Sequence, residues 1–89
     1  MNIEYDPIKR SKTLVERGLD FADAADVFQG VHFTALDVRQ DYSEDRYITI
    51  GWLLEELVVL VWTLRGDVYR IISMRKANDR EKKLFAQNI

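Results

Sequence analysis

Arginine punctuates the last quarter of this 89-residue chain: Arg65, Arg70, Arg75 and Arg80, with Lys76, Lys82 and Lys83 among and after them. Arg46 precedes them in an alternating segment. Guanidinium groups held on a rigid sheet grip a phosphate through paired N–H···O bonds. They also stabilise the charge that builds up as phosphorus becomes five-coordinate. Salt bridging is the competing use of the same side chains, and Glu44 and Glu81 are natural partners. Strand alternation puts Arg70 with Ile72 and Met74, and Arg75 with Tyr69, Ile71 and Ser73, so the two arginines need not share a face.

The charge is unevenly spread. The net charge is −2, which argues against a simple basic nucleic-acid-binding module. Residues 1–64 nevertheless carry a balance of −6 and residues 65–89 one of +4. An acidic body with a basic end suggests one polar surface for phosphates and another for something basic. The inventory excludes other chemistries. No cysteine is present, which removes disulfides, thiolate metal sites and a thiol nucleophile together. The single histidine, His32, rules out a mechanism with two imidazoles, and beside an apolar segment it reads as structural. Glycine-rich phosphate loops, HExxH, GxSxG and zinc spacings are all missing, so no cofactor or metal is expected. Asp20, Asp23 and Asp26 lack the loop glycine and distal glutamate of a calcium site and fit a solvated helix face.

The elements that must position these arginines are readable from period and punctuation. Length and composition (47% hydrophobic, 31% charged) predict a single domain over 1–89. Asn2 to Tyr5 alternates and suits a short edge strand. Asp6-Pro7 starts a helix that Gly18 ends, with Ile8, Leu14 and Val15 apolar. Asp20 caps a second helix whose apolar face is Phe21, Ala24, Ala25 and Phe28, closed by Gly30. Period two then takes over. Residues 31–38 and 46–52 read as strands around a polar turn at 37–45, and Leu57 to Thr63 reads as a central strand apolar on both faces. Arg65-Gly66-Asp67 signals a tight hairpin into Val68–Arg75. Asn78-Asp79-Arg80-Glu81 is a capping box for a last helix to about Asn88.

The expectation is an α+β fold with two N-terminal helices, a three- to four-stranded antiparallel sheet with helices on one side, and a C-terminal helix. Ile48, Ile50, Val59, Val61, Ile71 and Ile72 should form the sheet core, covered by Leu14, Phe21, Phe28 and Leu84. The segment Met1–Asp6 is too short and polar for a signal peptide. The longest apolar run, Leu57–Leu64, falls far below the roughly 20 residues needed to span a bilayer. A soluble cytoplasmic protein with no membrane partner is therefore expected.

Several short motifs occur in a telling order: Asp6-Pro7-x-Lys9, Gly18-x-x-Phe21-x-x-Ala24-x-x-Val27-Phe28, Glu44-x-Arg46-x-x-x-x-Gly51 and Thr63-x-Arg65-Gly66. They continue through Arg70-Ile71-Ile72-Ser73-x-Arg75-Lys76-Ala77 and Glu81. Over Tyr5 to Phe85 the chain resembles the BrnT toxins, the ribonuclease halves of bacterial type II toxin–antitoxin pairs. The resemblance implies a RelE-like fold and metal-independent RNA cleavage, in which a 2′-hydroxyl attacks the adjacent phosphate. Arg46, Arg70 and Arg75 match positions that would supply cations, and Lys9 and Glu44 are acid–base candidates. The partner it implies is a BrnA-like ribbon-helix-helix antitoxin, joined in a heterotetramer that reaches operator DNA only through the antitoxin.

Three positions depart from the family pattern, and two of them bear on proton transfer. Arg17 stands where a histidine usually precedes the glycine that ends the first helix, and Phe85 stands where the last helix usually carries tyrosine. Thr13 replaces a usual asparagine. Neither a guanidinium nor a phenyl ring transfers protons near neutrality. The alternative reading is therefore a weakened homologue that persists as an antitoxin-binding co-repressor.

Overall fold

The computed structural model describes residues 1–89. Strand β1 (Asn2–Tyr5) leads into helix α1 (Pro7–Arg17), then a 3₁₀ turn (Phe21–Asp23) and the short helix α2 (Ala24–Gln29). Strands β2 (His32–Leu36), β3 (Tyr47–Leu53), β4 (Glu56–Arg65) and β5 (Val68–Lys76) follow, and helix α3 (Asp79–Gln87) ends the fold. The helix signals act as their chemistry dictates. The Asp6 carboxylate accepts from the N–H groups of Ile8 and Lys9, and Gly18 turns left-handed at φ 69° to close α1 on the Leu14 carbonyl. Asn78 and Glu81 form the reciprocal capping box of α3. Asp20 caps the 3₁₀ turn rather than a longer helix: the expected second helix is split, with only Ala24–Gln29 truly α-helical.

The sheet has five strands in the order β1-β5-β4-β3-β2. This corrects the expectation of three or four, and it is not wholly antiparallel. Residues 2–5 form a full edge strand parallel to β5, because α1 carries the chain back across the sheet before it reaches the meander. The central strand is β4, buried continuously from Leu57 to Thr63, as an apolar run covered on both faces must be.

Helices lie on both faces, not on one. On the first face, the 3₁₀ turn and α2 pack Phe21, Ala24 and Val27 against Val58, Leu60, Trp62, Ile71 and Met74. Gly51 permits this approach, since a Cβ there would lie 2.9 Å from both Val27 Cγ1 and His32 Cβ. On the second face, α3 seats Phe85 against Leu57 and Val59, with Ile48 and Ile50 packed at the margin. Val59, Val61 and Ile71 are buried as expected, whereas Ile72 is only half-buried. Leu14 and Leu84, expected to cover the sheet, are exposed, and no residue of α1 is buried. Helix α3 covers only one half of the second face. The other half is open only in that no helix lies over it; Val61 and Thr63 there are buried all the same.

Candidate active site

Backbone pairing decides which cations share the open half. In β5, Ser73 pairs with Val61 but Ile71 pairs with Trp62, so Ile72 is an extra residue without a partner. This bulge resets the alternation. Ile71 and Met74 both face the first core, and Arg70, Ser73 and Arg75 all fall on the second face, opposite Thr63, Val61 and Val59. The expected separation of Arg70 from Arg75 is therefore overturned. They stand roughly 13 Å apart along one strand, at about 3.3 Å per residue. Tyr47 stacks on Trp62 on the first face, so alternation points the preceding Arg46 to the second. Its backbone is still in the ladder, because the Arg46 carbonyl accepts from the Asp37 N–H at 2.7 Å. Arg46 lies beside Thr63, whose hydroxyl donates to the Asp45 carbonyl. That places Arg46 two strands from Arg70, roughly 10 Å.

Each cation has its own restraint. Arg75 donates both Nη atoms to the two oxygens of Glu81, each at 2.8 Å, and Nη1 also approaches the Lys76 carbonyl. These hydrogen bonds are the main reason that the Arg75 pKa is raised and that of Glu81 is pulled down to about 2. Arg70 meets Glu4 of β1 more loosely, at 3.5 Å. Arg46 stacks over the Tyr42 ring at 4.3 Å, and its buried Nε has no hydrogen-bond partner. An orphaned guanidinium N–H is a donor in want of an acceptor.

Around Arg75 lies a cleft of about 340 Å³, with Ile48, Val59 and Val61 at its base and Ser73, Glu81 and Arg39 at its sides. Two further clefts share residues with it. A groove of about 290 Å³ beside α1 holds Lys9, Lys12 and Arg17 and meets the first cleft at Ser73. An apolar groove of about 260 Å³ under α3, lined by Phe33, Ile50, Leu84 and Phe85, shares Ile48, Val59 and Glu81. Lys9 and Glu44 do not come together: Glu44 lines, with Arg46, a cleft under the 37–46 loop and pairs with Arg65 at 3.7 Å. His32 holds the Gly30 carbonyl and edges onto Phe28, a structural position.

Arg39 also lines the Arg75 cleft, at a position that carries no functional signal in the sequence. Its segment reads as a polar turn, and the one structural cue is the Asp37-x-Arg39 spacing with Tyr42 following. Asp37 is buried, and both of its oxygens accept from the Arg39 guanidinium, at 2.8 and 2.7 Å. These bonds hold the Asp37 carboxyl well below the usual carboxylate range, with help from the Arg39 N–H and the Tyr42 hydroxyl.

A family model for the ribonuclease toxin BrnT of type II toxin–antitoxin systems matches residues 5–81, most of the chain. The chain belongs to the BrnT family. At the level of that family it is a ribonuclease toxin, which implies RNA as substrate and an antitoxin as partner. None of the curated proteins compared with the chain matches it. No helix is long and apolar enough to cross a membrane.

Arg17 and Phe85 both occupy packed positions. Arg17 reaches from the end of α1 to donate to the Met74 carbonyl at 2.9 Å, tying α1 to β5. Phe85 is the buried anchor of α3, with edge contacts to Phe33 and Trp52.

Proposed function

We propose that the open half of the second sheet face is the active surface of a metal-independent endoribonuclease with a RelE-like arrangement. The observation that carries this reading is the β5 bulge, which puts Arg70, Ser73 and Arg75 on one face of the strand, the face toward which alternation also points Arg46. The phosphodiester of a single-stranded RNA lies over this surface. Its 2′-oxygen attacks phosphorus, the P–O5′ bond breaks, and a 2′,3′-cyclic phosphate and a 5′-hydroxyl result. Arginines preorganised at these points stabilise the extra negative charge of the five-coordinate state. One proton must leave the 2′-hydroxyl and one must reach the 5′-oxygen. Lys9 is better placed for this than Glu44, because its groove and the Arg75 cleft share Ser73 in their walls whereas Glu44 pairs with Arg65. Glu81, held near a pKa of 2, is too weak a base for the task.

The same reading assigns a BrnA-like ribbon-helix-helix antitoxin as the cytoplasmic partner, with operator DNA contacted by the antitoxin alone. The test is incubation of the purified chain with defined RNA in the presence of a chelator. Cleavage ending in cyclic phosphate, blocked by 2′-deoxy substitution and lost in Arg75→Ala, is expected. Cleavage that the chelator abolishes, or that proceeds equally on DNA, would sink the mechanism.

A further inference from the structure

Arg39 sits on the 37–46 loop, where no ladder fixes a side chain, and yet its position is determined. The Asp37 carboxylate takes Nε and Nη2 of Arg39 and also its backbone N–H, and Tyr42 adds its hydroxyl to the same group. The Tyr42 ring lies in turn against the Arg46 guanidinium. One buried carboxylate thus staples the loop and aims a guanidinium into the cleft that holds Arg75. A guanidinium carries five N–H donors, and each of these carboxylates takes two, so unused donors remain on both arginines. Two like charges share one cleft, and the charge of Arg39 works against that of Arg75. An anion between them removes that repulsion.

We infer that Arg39 is a second phosphate-gripping residue: the scissile phosphodiester sits between Arg39 and Arg75, beside the Ser73 hydroxyl and above the apolar base of the cleft. This rests on the RNA-cleavage reading above and adds to it a contact from the loop. Arg39 lines the Arg75 cleft as well as stapling the loop, and a staple alone does not need that second placement. The apolar base, built from Ile48, Val59 and Val61, has few polar groups to compete for the phosphate oxygens.

The test compares the purified chain with Arg39→Gln, Arg75→Gln and Asp37→Asn. Binding is titrated at several salt concentrations with a single-stranded RNA whose riboses are 2′-O-methylated, so that no nucleophile is available. Loss of one phosphate contact lowers the slope of log K against log salt by about 0.7. Arg39→Gln and Arg75→Gln are each expected to show that drop. Each should also slow single-turnover cleavage of unmodified RNA by about 10- to 100-fold, as loss of a charge-assisted hydrogen bond implies. Asp37→Asn keeps the Arg39 guanidinium charge, so its slope should hold while its cleavage rate falls, because the guanidinium is no longer aimed. Arg39→Gln with the parent's slope and rate, beside an impaired Arg75→Gln, overturns the role of Arg39 alone. A lower melting temperature in Arg39→Gln with an unchanged slope also overturns it, leaving only a loop staple. If the parent neither binds nor cuts the RNA, or if Arg75→Gln binds and cuts as the parent does, the reading of this face as the active surface fails and this inference fails with it.

Discussion

Replacing Glu81 with glutamine removes one charge and leaves the α3 cap intact, because an amide oxygen still accepts the Asn78 N–H that Glu81 now holds at 2.9 Å. What is lost is the paired hydrogen bonding to Arg75. The carboxyl moves from an ordinary 4.5 to about 2 in the folded chain. At about 1.4 kcal/mol for each tenfold in proton affinity, the ceiling is roughly 3 kcal/mol. Arg75 is 43% exposed at its side chain, so solvent screening reduces this to about 1–2 kcal/mol. The sign follows from the direction of the shift. A carboxyl with a depressed folded pKa stabilises the fold fully above its unfolded pKa, and that contribution fades as the pH falls from about 4.5 toward 2. Urea titration at pH 7 should therefore place the midpoint of Glu81→Gln about 1 M below that of the parent, given a slope near 1 kcal/mol per molar. The gap should narrow to about a quarter of its neutral-pH value by pH 2.5 and close only below pH 2. A variant as stable as its parent at pH 7, or a deficit that persists unchanged at pH 2.5, would refute the reasoning. The same substitution frees Arg75 from its carboxylate, so RNA binding should strengthen while stability falls.

Other perturbations test the frame that holds the site. Gly51→Ala puts a methyl 2.9 Å from Val27 Cγ1 and His32 Cβ, and chemical denaturation should show a loss of about 1–3 kcal/mol from overpacking. Leu54, in the β3–β4 turn, is left-handed at φ 55° and 90% exposed, so Leu54→Gly should gain about 0.5–1 kcal/mol, read as a higher melting temperature. Deleting Ile72 should leave a cooperative unfolding transition with a loss of about 1–2 kcal/mol, because β4 and β5 already pair around that residue. Loss of cooperativity in the deletion would mean that the bulge itself holds the register.

Much of this protein is decided locally and is legible in the chain. Asp6-Pro7, Gly18 and the Asn78–Glu81 box mark helix ends by hydrogen bonds spanning two to four residues, so no distant partner is needed to read them. The Leu57–Thr63 run announces a central strand because only a strand covered on both faces can be apolar at every position. The arginine-rich end and the match to the toxin family are legible in the chain as well. Non-local competition decided the rest. Residues 2–5 are too few to declare themselves a parallel edge strand, since their hydrogen-bond partners lie more than sixty residues away in β5. Leu14 and Leu84 follow apolar periodicity yet stay exposed, because a pattern names a face without naming what covers it. The arginine surface shows this most clearly. Strict alternation splits Arg70 from Arg75, and only pairing with β4, which buries both Ile71 and Met74 in one core, forces Ile72 out of the ladder and brings the two cations together. Arg39 joins them through a buried carboxylate on a loop with no period to read. Period-two reasoning assumes an unbroken ladder, and here the core's demand to bury both apolar side chains breaks it at Ile72.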